Sequence, residues 1–408
     1  MSCFVTDSTN LGLSSWQELR QFTRFFVMDP IQEFEQICGW QCRVLKQFGI
    51  CAYEQSFKPS ARTVLLLLLI SCYFFIAFYD LHHFLGDLFS FAFALVTLAY
   101  GLIGISRVGH LLANPARFSE LMHEAKKTYE RSALNQREAK ILKRYTSWLK
   151  HCVIFYSMAF VAATVATGLL PTVIYLWTGQ RNLPLGIELP FLDPDSLKGY
   201  LLNYLYQISC MLWTPPALIA VQNMCFILVF NVFIQYDILL LGLEDLNLLI
   251  KENTDGKLDS DVHQKLLQVL QYHQRLTSFS GAIERSFSVQ FFVEISSNAL
   301  QVIVTLFVAN TANWMPGYLI IFLATFQSLM LCFLGALNEL KSDQLVAKIY
   351  DVAWSEMRLP EQKSIHILLT KSQQASLLSC GGLLPMNMNL FLKVYKTIYS
   401  VFMMLMNI

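Results

Sequence analysis

Three ionisable side chains stand in otherwise uncharged apolar stretches of the chain: Glu294, Lys393 and Lys396. Charge inside hydrocarbon is costly, and it usually marks an ion path, a proton relay or a paired network. Glu294 sits at the edge of its stretch and reads as a carboxylate at the membrane interface. Lys393 and Lys396 lie one helical turn apart near the start of the last stretch. Side chains of that length snorkel to water or pair with a neighbouring carboxylate. His82 and His83 flank a stretch and read as interfacial rings, since no CxxC pair is present to support a metal site. Catalytic patterns are missing as well: no GxxxxGKS/T cradle for phosphate, no HExxH for zinc and no GxSxG nucleophile elbow. The expectation is a protein that is not an enzyme and uses neither cofactor nor metal.

The elements that would hold such groups are membrane helices. The chain has 408 residues, 55% hydrophobic and 14% charged, with a mean hydropathy of +0.45. Soluble domains carry about 25% charged residues. A span needs roughly 20 apolar residues to cross a core of about 30 Å. Uncharged stretches supply these at Thr63–Tyr79, Leu88–Ser106, Cys152–Gln180 and Gly199–Tyr236. Ile295–Asn338 is uncharged over 44 residues, too long for one crossing. Asn313-Trp314-Met315-Pro316-Gly317 divides it into a fifth and a sixth span, because proline removes a backbone donor and glycine favours a turn. Met386–Ile408 is the seventh. The sequence therefore predicts an all-α membrane protein with seven transmembrane helices.

Basic residues orient it. Twenty-six Lys and Arg, from the N-terminal segment and the alternate loops including Arg107–Lys150, fall on one side; only Arg181 and Lys198 fall on the other. Basic loops stay in the cytoplasm, so the N-terminus is expected inside and the C-terminus outside, at the plasma membrane. That is the reverse of a G-protein-coupled receptor, and the DRY-like and NPxxY patterns of those receptors are also missing. The ten cysteines all fall in spans or basic-side segments, as reduced thiols would. No basic start precedes an apolar run at the N-terminus, so no cleavable signal peptide is expected. Pro115–Lys150 and Asp259–Arg285 read as helices that extend spans into the cytosol, the latter with Ser260 and Asp261 as candidate N-caps, and a further helix begins at Leu359-Pro360-Glu361. Their apolar stripes would bury against neighbouring subunits in an assembly, or anchor, domain. A transporter is disfavoured. Pro215-Pro216 is the one broken span, with no counterpart in the other half, and reads as a kink satisfied by its neighbours.

The C-terminal third carries a resemblance. Ile349-Tyr350-Asp351-Val352-Ala353-Trp354-Ser355-Glu356-Met357 looks like the Y-x-x-x-W-x-x-M block of insect odorant receptors. Glu361-Gln362-Lys363 and Lys371-Ser372-Gln373 follow at the family's spacing. Cys380-Gly381-Gly382-Leu383-Leu384-Pro385-Met386-Asn387 resembles the family's GG-x-x-P-x-N element, and Phe391–Phe402 its closing helix. These blocks cover about 60 residues; elsewhere the agreement is in topology and length. Ile398 separates Thr397 from Tyr399, unlike the last-helix pattern of the related gustatory receptors, and the Trp354 block also favours the odorant branch.

The resemblance implies an odorant-specific subunit of a heteromeric, odorant-gated, non-selective cation channel. It would pair with a shared olfactory co-receptor in a tetramer within the membrane lipid of olfactory neuron dendrites, without nucleic acid. The implied organisation is a cytoplasmic segment over residues 1–62, an odorant-binding bundle over 63–338, anchor helices over 339–385 and a pore helix over 386–408. In such a pore helix, Thr397, Val401, Met404 and Ile408 recur at i+4, i+3 and i+4. Met404 is the candidate hydrophobic gate, and Asn407 could offer an amide oxygen to a hydrated cation. The odorant pocket would lie in the outer half of the membrane, between spans two, three, four and six, with Phe89, Phe93, Thr167, Tyr175, Tyr204, Ile208, Met211, Tyr318 and Phe322 as candidates. Aromatic and aliphatic walls with a few hydroxyls suit a small volatile ligand. Two alternatives stay open: a gustatory-type channel of the same superfamily, and a seven-span receptor acting through a cytoplasmic partner.

Overall fold

The computed structural model describes residues 29–50, 60–179, 181–185, 187–190, 192–193, 196–253, 256–312, 314–374 and 378–406. In chain order the helices are α1 (Pro30–Gln47), α2 (Ala61–His83), α3 (Leu88–Ala113), α4 (Pro115–Ser132), α5 (Gln136–Thr178), α6 (Leu197–Glu252), α7 (Asp259–Ala312), α8 (Met315–Tyr350), α9 (Leu359–Ser372) and α10 (Met388–Met406). A two-stranded antiparallel hairpin, β1 (Ser379–Cys380) with β2 (Leu384–Pro385), precedes α10. Among the described residues, six helices, α2, α3, α5, α6, α7 and α8, are long and apolar enough to cross a membrane. The seventh span is α10, whose 19 residues reach about 28 Å at 1.5 Å per residue. The chain is an all-α membrane fold.

Polar residues set the helix ends. Ser60 and Thr63 form a reciprocal capping box at the start of α2. Asp87, Asn135 and Ser196 cap α3, α5 and α6 through their side chains, and Gly179 ends α5 at φ +71°. The turn between α7 and α8 falls at the expected Asn313–Gly317 break; Asn313 itself lies outside the described residues.

α6 is the axis. Every residue from Ala217 to Leu239 is buried, because large apolar side chains recur on all faces of this stretch and must be wrapped by neighbours. With 56 and 54 residues, α6 and α7 run about 84 and 81 Å, more than twice the apolar thickness of a bilayer. Their halves at the basic end, with α1, α4, α5, α8 and α9, form a second packed layer. Asp237 of α6 takes bonds from Arg144 and Tyr145 of α5 and from Lys341 of α8. Asp245 of α6 joins Arg137 of α5 and Lys265 of α7. Burial pushes the Asp245 carboxyl up, but the bonds from Lys265 and Arg137 outweigh it and hold it below the ordinary carboxylate range.

Several local expectations are corrected. Pro115–Lys150 is two helices rather than one, broken at Ala133-Leu134-Asn135 where Asn135 recaps the chain. Ser260 and Asp261 lie inside the first turn of α7, which starts at Asp259. The last helix begins at Met388 because Asn387 caps it, its Oδ1 accepting from Leu390 N at 3.1 Å. Pro171 lies within α5, so a second span contains proline, which the sequence reading passed over. The largest correction concerns Arg107 and Glu294, which are neither a loop base nor an interfacial acid. Both are fully buried inside the bundle, because each neutralises the other.

Candidate functional site

A cavity of about 100 Å³ opens between α2, α3, α5, α6, α7 and α8. Its walls are apolar and aromatic: Tyr73 and Phe74 of α2, Tyr100 of α3, Trp213 of α6, and Ile320, Leu323 and Ala324 of α8. Gly101 lets the α2 wall close on α3, since a Cβ there would meet Tyr73 Cε1 at 2.6 Å. Polar groups are few. Tyr73 donates its hydroxyl to Thr97 O at 2.6 Å. The hydroxyl of Thr97, buried in the same wall, finds no partner among the described residues. Gln301 and Gln327 add amides. An apolar cavity on the order of 150 Å³ takes a single benzene ring, so the space suits a ligand of about that size with one hydrogen-bonding group.

The roof is the segment joining α5 to α6, which contributes Leu185. Gln207 accepts from Leu185 N at 2.8 Å and donates to Ile187 O at 2.6 Å. Asn203 accepts from Leu189 N, Asp80 accepts from Glu188 N, and Trp314 donates to Leu183 O. Side chains from α2, α6 and the α7–α8 turn thus pin this segment over the cavity.

The floor is the ion pair. Arg107 Nε and Nη2 donate to Glu294 Oε1 and Oε2 at 2.8 and 2.9 Å. Longer bonds run from Arg107 Nη1 to Leu218 O (3.4 Å) and Tyr156 Oη (3.5 Å), and from Nη2 to Gln327 Oε1 (3.4 Å). Gln290 Nε2 donates to Glu294 Oε1 at 2.7 Å. Two buried charges are tolerated here because the fork of the guanidinium matches the carboxylate and the remaining sites are hydrogen-bonded. Gln327 belongs to both the floor and the cavity wall.

Of the nine pocket candidates, Thr167 and Met211 line this cavity. Ile208 packs on Gly168 at its edge. Tyr204 donates to Gly168 O at 2.7 Å. The Tyr175 ring lies against Tyr200. Phe89 and Phe93 pack with Trp314 in a separate cluster. Tyr318 and Phe322 are exposed on the outer surface of α8. The α2 wall, Tyr100, Trp213 and the floor pair went unread in the sequence. The small residues Gly101 and Gly104, one turn apart on α3, were the available signal for close packing there.

The last helix is positioned by the glycine-rich motif. Gly381 and Gly382 adopt φ of +66° and +73°, a region that costs other residues. Gly381 N donates to Ser288 O of α7 at 2.9 Å, and Asn387 Nδ2 donates to Glu339 Oε2 of α8 at 3.0 Å. Gly335 of α8 admits the incoming strand so closely that a Cβ would meet Met386 O at 1.9 Å. α10 then leaves Lys393, Lys396, Thr397, Ser400 and Met404 exposed along one side, while Val401 is half-buried toward the bundle. Ser400 joins that polar side and escaped the sequence reading. Asn407 and Ile408 lie outside the described residues.

Comparisons with known proteins agree with this architecture. A family model described as 7tm odorant receptor matches residues 87–399. Odorant receptor 10 of Aedes albopictus is 22% identical over 362 residues, covering 85% of this chain and 92% of the relative. Odorant receptor Or2 of Anopheles gambiae is 21% identical over 312 residues, 74% of this chain and 80% of the relative. With odorant receptor 83c of Drosophila melanogaster the identity is 23% over 258 residues, 61% of this chain, and the match spans 65% of the relative's length. The solved olfactory receptor OR5 of Machilis hrabei in complex with eugenol superposes with a TM-score of 0.77 at 13% identity, covering 93% of this chain and 100% of that one. On the family match across most of its length, the chain belongs to the seven-transmembrane odorant receptor family of insects.

Proposed function

We propose that this chain is the odorant-specific subunit of an odorant-gated, non-selective cation channel. A small volatile occupies the cavity under Leu185, and the polar side of α10 lines the conducting path together with last helices from a shared co-receptor in a tetramer. The observation that carries this reading is the pairing of two features in one membrane chain of this family. One is an apolar cavity with a buried hydroxyl that has no partner among the described residues. The other is a spanning helix whose lysine-, threonine- and serine-bearing side is left exposed by the described residues. Such a side facing lipid would be costly, and facing water it is not. The N-terminus is cytoplasmic in this reading, residues 339–385 anchor the assembly, and the protein works in the dendritic plasma membrane of olfactory neurons.

Volatile phenols, alcohols and esters applied to cells expressing this chain with the co-receptor test the reading. An evoked cation current is expected that needs both chains and persists when G-protein signalling is blocked. A response that disappears with that block would instead favour a receptor acting through a cytoplasmic partner. Replacing Met404 with serine should ease wetting of a hydrophobic constriction and raise the resting leak. Asn407→Asp should favour divalent cations. If both variants respond to odorant with permeability and leak unaltered, α10 of this chain does not line the path.

A further inference from the structure

α10 has a back as well as a polar side. Among its described residues only Leu390 and Ile398 are buried. Ile398 lies on the helix face away from Lys393, Ser400 and Met404, and is buried in one cluster with Val302 of α7 and Ala324 of α8. Ala324 is at the same time a wall of the cavity. Ala324 therefore belongs both to the cavity wall and to the cluster that buries Ile398 of the last helix, and its side chain is a single methyl group.

The walls of the cavity differ in how firmly they are held. α3 is clamped to α7 by the bidentate Arg107–Glu294 pair at 2.8 and 2.9 Å. α8 is joined to that floor by the single 3.4 Å bond from Arg107 to Gln327. An occupant that needs room displaces the less tightly held wall, and close-packed interiors pass such a displacement on rather than absorb it. Resting on the reading of the cavity as the ligand site and of α10 as the pore element, we propose that Ile398 is the positioning residue through which the cavity acts on the last helix. An occupant presses Ala324 against Ile398, α10 shifts, and its polar side turns relative to the helices beside it.

A ligand-free test thickens the relay from within. Ala324→Leu in the complex with the co-receptor should raise the resting cation current several-fold at equal surface amount. Ile398→Ala leaves a gap that absorbs the push. It should raise the half-maximal odorant concentration about tenfold and lower the maximal current. Thermal stabilisation of the purified complex by the same agonist, taken from the phenol, alcohol and ester panel, should stay at its unmodified midpoint. Ile398→Val, which keeps most of the contact, should fall between the two and guards against misfolding of the alanine variant. In Ala324→Leu with Ile398→Ala, the resting current should return to that of the unmodified complex. Additive effects in the double variant, or an agonist-binding midpoint that moves as far as the current does, would overturn the relay while leaving the cavity and pore assignments standing. Absence of any odorant current in the unmodified complex would remove those assignments, and the relay with them.

Discussion

Thr97 and the Arg107–Glu294 pair show what single residues contribute. The Thr97 hydroxyl is buried in the cavity wall with no partner among the described residues, so a ligand carbonyl or hydroxyl can complete it. Thr97→Val keeps the shape and removes the bond. Agonists with an oxygen should lose about 0.5–1.5 kcal/mol, roughly 2- to 12-fold in half-maximal concentration, and hydrocarbon agonists should keep theirs; equal shifts for both classes would refute the role. Glu294→Gln leaves the guanidinium buried without its counter-charge. Breaking a buried pair in this way costs about 3–5 kcal/mol, which a melting curve of the detergent-solubilised protein would register. Replacing both partners together, Arg107→Met with Glu294→Leu, should be less damaging than Glu294→Gln alone, because no charge is then stranded.

At the level of elements, the placement of α10 depends on the seam where Met386, just after β2, packs against Gly335 of α8. Gly335 holds that seam open, Gly381 and Gly382 supply its reversed backbone, and Asn387 both caps α10 and ties it to Glu339. Gly335→Ala drives a methyl into a backbone carbonyl that cannot swing aside. Surface amount and odorant current should both fall sharply, and a variant with normal current would show that the seam tolerates expansion. Asn387→Ala removes a cap worth about 0.5–2 kcal/mol, a milder loss that the same surface assay would rank below Gly335→Ala. The Trp354 block has a comparable role: Asn247 of α6 accepts from Ala353 N at 2.9 Å, and Val352 and Met357 are buried, so the block fastens the end of α8 to the axis.

For the molecule as a whole, the two layers follow from helix length. α6 and α7 are too long to end at the membrane surface, so their basic-end halves must pack on something, and the ion pairs of Asp237 and Asp245 hold them to α5, α7 and α8. Removing Arg107 from the loop count leaves the basic asymmetry between the two ends almost unchanged. An epitope placed after Ile408 should therefore be stained in intact cells, and one placed before Met1 only after permeabilisation. The opposite pattern would reverse the orientation, and with it the expectation that the odorant pocket lies in the outer half of the membrane.

The number of spans, the break at Asn313–Gly317, the helices at the basic end and the family were legible in the sequence alone, since each is written in local runs of apolar residues, breakers or motif blocks. The sequence also supplied the types of residue that a volatile site needs. It did not locate that site. Periodicity says which residues share a face of one helix, but only packing says which faces meet. Phe322 therefore reads as a pocket residue and lies on the outer surface, while Tyr73 and Trp213 pass unnoticed and line the cavity. Arg107 and Glu294 are separated by 187 positions, and each alone looks like an interfacial charge. Their burial is possible only because the tertiary structure brings them together, and no local pattern encodes a pairing at that distance.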